Sequence, residues 1–475
     1  MRSPFKKLLS QPSKIAADAA GARDVNAETD VLRKRRSEDF SAELFKAGWY
    51  HSLELPGGRV IDGFLSLAEL KERFAEFPLP PNLSGKRVLD IGTWDGWFAF
   101  EAERRGANVV AVDNIEQENF HYARRELASK VVYEIAEVYE LRDRGFAPFD
   151  YTFFLGVLYH LRHPLLALEI VCELTTDIAI VDSFIVDDDY RGGTGSPIPW
   201  MEFYETTELS NQVDNWVGPT LECLLALCRS AGFARAELLN VKHRHARVAC
   251  YRRWELPPEP APADPPVLRA AVNGRWGDNG INFNTRKEEF LTCWFISSET
   301  DLHREDLRPE VSGYGVLPVV LLRDGEQEWH ANFRLPPGLR PGWHEVRLRT
   351  VRSGFSNTCR IAVDLPVKTS GIAIVDAQDG KTWQPGEVQF RSDEKWGHLA
   401  LWISGLAENC DRNNVRVYSE SQRLPVDFVS ASESSGVRQV NARIPAASGE
   451  ETTIFVDHGG TRSEPIRVRL RAAAT

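Results

Sequence analysis

The chain has 475 residues, 43% of them apolar and 26% charged, which excludes an intrinsically disordered chain and leaves room for two to four domains. Its formal charge is −11, from 57 basic and 68 acidic side chains, and such an acidic balance disfavours a nucleic-acid polyanion as partner. No apolar run reaches the ~18–20 residues that a membrane-spanning helix needs, so no membrane span is expected.

Residues 1–45 read as a basic arm. Within it, residues 1–37 hold nine basic and four acidic groups, including the run Arg33-Lys34-Arg35-Arg36. Such a tail can bind a polyanion, but a solvated, partly helical leader is the expected reading. No apolar stretch follows the basic residues 1–10, so a secretory signal is not expected. The seven Cys are scattered and form no Cys-x-x-Cys pair. That pattern supports neither a disulfide scaffold nor a zinc knuckle, and it fits a cytoplasmic location.

Residues 46–254 alternate strands with helices. Arg87-Val88-Leu89-Asp90-Ile91-Gly92 predicts a strand ending in a turn, residues 98–105 a helix, and residues 108–113 a second strand. More strands are expected over 131–135, 151–155 and 178–182. Helices are expected over 165–174 and 220–231, the latter stopped by Gly232. This alternation predicts an α/β, Rossmann-like unit with a mostly parallel sheet covered on both faces. In such sheets ligands bind at the carboxyl ends of the strands. The first strand ends in Asp90-Ile91-Gly92-Thr93-Trp94-Asp95-Gly96, and the second in Asp113-Asn114. Gly92 and Gly96 let the backbone turn tightly beside a ligand, and an acid at the tip of the second strand can accept both hydroxyls of a ribose. The loop lacks the G-x-G-x-x-G fingerprint of dinucleotide enzymes, so NAD or FAD fits poorly.

This arrangement resembles a class I S-adenosylmethionine-dependent methyltransferase, a family with a seven-stranded, mostly parallel sheet. The run Leu155-Gly156-Val157-Leu158-Tyr159-His160-Leu161-Arg162-His163-Pro164 sharpens the resemblance, as do Trp49-Tyr50-His51-Ser52 and Ala231-Gly232-Phe233. It is similar to one branch, which includes the transferases that build the oxyacetic modification on tRNA wobble uridine. The resemblance implies S-adenosylmethionine as cofactor, with Asp90, Gly92, Thr93, Trp94 and Gly96 at its methionine part. It implies Asp113 and Asn114 at the ribose, Ala136 and Glu137 at the adenine, and Leu155 and Tyr159 lining the pocket. Many members have a third glycine where this chain has Trp94, which puts the shape of the loop in question. Carboxy-S-adenosylmethionine, used by the tRNA enzymes, fits less well. Those enzymes have a basic, Trp-containing stretch before the loop, whereas residues 67–81 here offer Lys71 and Arg73 but no Trp. Residues 38–260 also carry 22 basic against 36 acidic side chains, an unpromising surface for a phosphate backbone.

O-methylation of a small molecule or glycan is therefore the expected reaction, with carboxymethyl or methyl transfer to tRNA as the alternative. A hydroxyl acceptor benefits from a general base, and His160 is the catalytic candidate. Trp49, His51, Trp200, Tyr204, Asn215 and Trp216 are candidate substrate contacts. His163 reads as structural. Asp182 and Asp187-Asp188-Asp189 follow the fifth strand, where some relatives bind Mg²⁺. Consecutive Asp residues point apart, so a solvated loop is expected and no metal. The cluster Lys242-His243-Arg244-His245 with Arg247 reads as the charged run of an edge strand.

Six prolines in residues 255–266 predict an extended linker rather than a packed element. Beyond it the sequence repeats. Trp294-Phe295-Ile296-Ser297 recurs as Trp402-Ile403-Ser404, Leu317-Pro318-Val319 as Leu424-Pro425-Val426, Leu335-Pro336 as Ile444-Pro445, and Ser356 as Ser463, at offsets of 107–109. That period fits two all-β sandwiches, 267–366 and 367–475. They resemble the immunoglobulin-like modules of the IPT/TIG type. Their seven Trp are expected mainly in packing, with a carbohydrate-binding face as the alternative. A scaffold acting through these modules, with an unknown protein partner, is the remaining functional class.

Overall fold

The computed structural model describes residues 48–187, 198–274, 282–364, 371–391, 394–407, 410–430, 437–446 and 450–472. The basic arm, Asp188, Asp189 and Trp276 lie outside them.

The N-terminal unit is built on one seven-stranded sheet. Its elements are α1 (Leu67–Ala75), β1 (Arg87–Ile91), α2 (Trp97–Arg104), β2 (Asn108–Asp113), α3 (Glu118–Glu126), β3 (Val132–Ile135), β4 (Phe149–Leu155), α4 (Pro164–Leu174), β5 (Thr175–Phe184), α5 (Leu221–Ser230), β6 (Arg235–Lys242) and β7 (His245–Tyr251). The strand order is β3-β2-β1-β4-β5-β7-β6, with β7 antiparallel to both neighbours and the other pairs parallel. The strands are buried on both faces, which is why β1 and β4 read as nearly continuous apolar runs. One face packs Leu89, Ile91 and Phe154 under α4 and α5. The other packs Val88, Tyr151 and Phe153 under α1, α2 and α3. Helix starts follow local chemistry. Ser66 Oγ accepts from the Glu69 amide at the head of α1, and Thr220 Oγ1 from the Cys223 amide at the head of α5.

Two further units follow, each a pair of sheets around one core. In the first, Val267–Asn273, Phe290–Ile296, Glu328–Arg334 and Pro318–Arg323 form one sheet, facing Asn282–Phe283, Cys359–Val363, Gly342–Arg347, Glu310–Val311 and Tyr314–Gly315. In the second, Ala373–Asp379, Trp396–Ser404, Val437–Pro445 and Val426–Val429 face Glu387–Phe390, Ile466–Ala472, Glu451–His458, Val415–Ser419 and Gln422–Leu424. The repeat extends to details. Each unit pairs a short strand in parallel with its last strand. Each breaks register at equivalent points, 268/270 and 374/376, then 318/320 and 426/428. Among the tryptophans, Trp329 is buried, whereas Trp343 and Trp383 are exposed.

The proline-rich segment is not a free spacer. Glu255 is held at both ends: its carbonyl accepts from Arg349 Nη2 at 2.5 Å, and its carboxylate pairs with Arg308 at 2.7 Å. Arg349 is fully buried whereas Glu255 is exposed, so this contact ties the start of the segment to the packed interior. Just before it, Arg252 is also buried; it donates to Cys172 Sγ of α4 and to the Pro337 carbonyl, and stacks on Tyr314. Trp254 Nε1 donates to the Pro309 carbonyl at 2.8 Å. These bonds join the first β unit to the α/β unit, and proline content alone gave no sign of them.

Candidate functional site

A cavity of about 1820 Å³ opens at the carboxyl ends of β1, β2, β4 and β5. The winding order reverses between β1 and β4, the usual place for a ligand in such a sheet.

The loop after β1 forms one wall. Gly92 has φ +74, and a Cβ there would stand 2.3 Å from Val157 Cγ2 of the β4–α4 loop. Only glycine allows those two loops to meet. Gly96, at φ +87, is required by packing: a Cβ would strike Phe120 of α3 at 2.5 Å. Between them Trp94 takes the left-handed conformation, φ +50. The loop thus keeps a glycine-like turn without the glycine, and the indole stands 45% exposed in the cavity wall. The Trp94 amide donates to Asp113 Oδ2 at 2.9 Å, tying the tip of β1 to that of β2.

Burial acts on both acids. Desolvation pushes the Asp90 carboxyl up to about 7, against the lowering effect of its bond from Thr93 Oγ1 at 2.8 Å. Asp113 is raised for the same reason, against the amides it accepts. A buried carboxyl poised between its two states is stabilised as the anion by a cation placed beside it. Asp90 and Asp113 therefore fit a ligand with a cationic group at one end and hydroxyls at the other. Ala136, Asn114 and Glu137 continue this wall, and the Ala136 amide donates to the Asp113 carbonyl at 2.9 Å.

Asp95 plays a part that sequence reasoning missed. Its Oδ2 accepts from the amides of Tyr50 and His51, at 2.5 and 3.0 Å. The glycine loop thereby straps the segment 48–52 over the cavity, where Trp49, Tyr50 and His51 form part of the lining. Burial pushes the Tyr50 hydroxyl up to about 12 and the His51 imidazole down to about 3, so both stay neutral. The signal lay inside the loop itself, as an acid between two glycines.

The opposite wall comes from the β4–α4 loop, residues 209–216 and the β6–β7 hairpin. Leu155, Tyr159 and His160 line it, and the Trp216 amide donates to the Tyr159 carbonyl at 2.8 Å. His160 Nδ1 lies 3.3 Å from the Asp214 carbonyl and 3.4 Å from its carboxylate. Burial lowers the His160 imidazole, with Asp214 opposing. His163 also borders the cavity; its amide donates to the Tyr139 hydroxyl.

The charged run 242–247 is corrected by the fold. It is the β6–β7 hairpin: Lys242 ends the edge strand β6, His243 and Arg244 form the turn, and His245 and Arg247 lie on β7, an interior strand between β5 and β6, so that all five stand at the cavity. The acids expected after the fifth strand are corrected too: Asp182 lies within β5. Asp182 is buried and pairs with His245 Nδ1 at 2.7 Å, with Arg247 Nε 3.7 Å from its other oxygen. Asp187 is buried and accepts from the Leu221 amide at the head of α5. Neither belongs to a solvated loop. Arg73 of α1 reaches the same wall, paired with Glu69 at 2.8 Å.

Of the proposed substrate contacts, Trp49, His51, Asn215 and Trp216 line the cavity. Asn215 is buried, with Nδ2 donating to the Leu209 carbonyl, and Trp216 carries the Arg162 guanidinium over its ring at 4.0 Å. Trp200 and Tyr204 stand outside the lining. They pack with Phe184, Val186 and Leu209 in a small cluster that fixes the loop after β5. Gly96 likewise lies behind the wall.

Residues 62–181 match the family model described as a methyltransferase domain. The chain is 31% identical over 169 residues to a tRNA U34 carboxymethyltransferase of Campylobacter hominis, covering 34% of this chain and 55% of that one. It is 26% identical over 166 residues to the protein of the same name from Pseudomonas fluorescens, covering 34% and 49%. The chain thus spans about half the length of the curated relatives it matches. Among solved structures, the N-terminal domain of EvdMO1 with SAH bound is similar at 17% identity and a TM-score of 0.33, over 49% of this chain and 99% of that one. The glycine loop, the acid-tipped second strand and most of the sheet's parallel core thus fall in the segment, residues 62–181, that matches a methyltransferase domain.

Proposed function

We propose that this protein transfers the methyl group of S-adenosylmethionine to a hydroxyl of a small-molecule or glycan acceptor. The observation that carries the reading is the cavity itself. At about 1820 Å³ it exceeds the ~300–1,000 Å³ of a site for one small ligand, so cofactor and acceptor have room together. Its two walls differ in kind: the glycine loop with Asp90 and Asp113 on one side, and imidazoles facing Asp182 and Asp214, with guanidinium groups, on the other.

S-adenosylmethionine, when bound, supplies a methyl group already activated by a positive sulfur. Asp90 would hold its amino group, Asp113 its ribose hydroxyls, and Ala136 with Glu137 its adenine. Trp94 and the strap 48–52 exclude water from the same end. The acceptor half must then hold a hydroxyl in line and take its proton, since orientation and proton removal are the two contributions left to the protein. His160 on the β4–α4 loop is a candidate for that proton, and Trp49, His51, Asn215 and Trp216 for positioning.

A second reading, methyl or carboxymethyl transfer to tRNA wobble uridine, is favoured by the name of the relatives and by the cationic hairpin at the cavity mouth. The acidic balance of residues 38–260 weighs against it.

The test is mass spectrometry of cell extract incubated with purified protein and deuterated-methyl S-adenosylmethionine. A labelled small molecule or glycan is expected. Label confined to tRNA moves the reading to the alternative. Calorimetry that detects no S-adenosylhomocysteine binding, with Asp113→Ala making no difference, removes both.

A further inference from the structure

The acceptor half holds two imidazoles that each face a carboxylate, and the two pairs are not equivalent. Asp214, beside His160, is 68% exposed at its side chain, and its nearer oxygen toward the ring is a backbone carbonyl. Asp182, beside His245, is 7% exposed and bonds the ring directly at 2.7 Å. Resting on the methyl-transfer reading, we propose that His245, oriented by Asp182, is the group that accepts the proton of the acceptor hydroxyl.

Placement favours it. Asp182 pairs across from Leu155 at the carboxyl end of β4, and His245 pairs across from Phe184 on the next strand. Adjacent strands lie ~4.8 Å apart. His245 thus stands two strands from the tip of β4, on the side away from the cofactor loop. Tyr159 bridges the space, its ring 4.3 Å from that of His160 and 5.7 Å from that of His245.

Chemistry favours it as well. With Nδ1–H donated to Asp182, Nε2 is left as the basic nitrogen of His245. A base must become a cation in the transition state, and a buried, ionised carboxylate at hydrogen-bond distance stabilises that cation. Burial alone would raise Asp182, but His245, Arg73 and Arg247 around it hold its carboxyl below the ordinary range. Burial without such a partner makes the cation costly at His160. In the transfer, the carbon–sulfur bond breaks as the oxygen–carbon bond forms. The hydroxyl proton moves to His245 Nε2 and then to solvent, leaving a methyl ether and the neutral thioether. Asp182 is a positioning residue, and Arg247, paired with Glu76 at 2.9 Å, places a cation 3.7 Å from its second oxygen.

The experiment uses the full chain with cell extract and deuterated-methyl S-adenosylmethionine. His245→Gly is expected to lower the rate of labelled product about 100-fold or more, to keep S-adenosylhomocysteine affinity within about twofold, and to regain rate when free imidazole is added. Asp182→Asn is expected to lower kcat at least tenfold with an unchanged KM for the cofactor. His160→Asn should cost less than tenfold. A His245→Gly protein that binds S-adenosylhomocysteine normally and turns over within a few-fold of the unmodified one overturns the assignment, as does a deeper loss at His160. Absence of labelled product from the unmodified protein sinks the methyl-transfer reading, and the assignment with it.

Discussion

The two β units share one plan and serve the molecule differently. Each has two facing sheets in the same strand order, apart from an added short strand at Thr461–Arg462 in the second, with the same parallel closing pair and the same register breaks. Yet the first is joined to the α/β unit by buried groups. Arg252 runs between Cys172 and Pro337, and Gly338 sits so near α4 that a Cβ would be 2.5 Å from the Glu173 carbonyl. The second unit meets the first through bonds such as Asn413 Nδ2 to the Thr358 carbonyl, at 3.2 Å. On the β units the interface residues Pro337, Gly338 and Asn413 lie in loops, where a fold is free to vary while its cores stay alike. A repeated β unit can therefore become part of the α/β unit's frame in one copy and an appendage in the next.

Truncation tests this contrast most severely. A chain ending at 255 leaves Arg252 buried on one side with its Pro337 partner gone and uncovers the Trp254 face. Losing a hydrogen bond to a charged group costs about 1.5–3 kcal/mol and exposing the Trp254 side chain about as much again, so thermal unfolding of the α/β unit is expected about 10 °C lower than in the full chain. A chain ending at 364 keeps the first unit and should unfold within about 2 °C of the full-length protein. Equal losses from both truncations would erase the distinction.

Single glycines give the next largest effect. Gly338 and Gly460 both have positive φ, +79 and +80. Beyond its chain neighbours, no atom of the described residues lies within 4 Å of the place a Cβ of Gly460 would take, whereas at Gly338 the Glu173 carbonyl blocks it. Gly460→Ala should cost only the backbone term of about 1 kcal/mol. Gly338→Ala adds a clash at the interface and should cost about 2–4 kcal/mol. Urea unfolding of the two variants reads the difference directly.

Cofactor binding separates the α/β unit from both β units through pH. Asp90 has its folded value raised to about 7 from an unfolded value near 3.9. Between those values the folded chain holds a proton that the unfolded chain has lost, so this group lowers stability as pH rises through that window. A ligand whose cation needs the ionised form binds better as pH rises through 7. S-adenosylhomocysteine affinity is expected to fall by up to about 100-fold from pH 8 to pH 5, measured by calorimetry, and Asp90→Asn should flatten the profile. The same slope is expected after removal of residues 371–475. A slope that changes with that removal would tie the second unit to the site.

The parts legible in the sequence were those set by local pattern. The strand and helix alternation, the glycine loop with Asp90 and Asp113, and the repeat at 107–109 residues are all written in neighbouring residues. The proton-accepting pair was not. Asp182 and His245 lie 63 residues apart and meet only because β7 inserts antiparallel between β5 and β6, which no local pattern announces. The same insertion turned an apparent edge run into a cavity wall. Trp94 looked like a break in the glycine pattern, yet a left-handed backbone there restores the turn. Six prolines read as a linker because composition carries no trace of the Arg308 and Arg349 guanidinium groups that hold Glu255.

The smallest expected effect tests whether the two β units are energetically alike where they are structurally alike. Ser356 Oγ accepts from the Leu348 amide at 3.0 Å, and the Ser356 amide donates to the Leu348 carbonyl at 2.8 Å. Ser463 repeats both bonds with Val456, at 2.9 and 2.8 Å. Each serine side chain is buried or nearly so, and its hydroxyl satisfies an amide that the sheet ladder leaves open. Removing such a hydroxyl strands a buried donor, at about 1–2 kcal/mol. Ser356→Ala and Ser463→Ala should therefore cost the same within about 0.5 kcal/mol in urea unfolding. If Ser356→Ala costs clearly more, docking onto the α/β unit stiffens the first sandwich enough to make a stranded amide harder to relieve. The interface then shapes the interior of that unit as well as its surface.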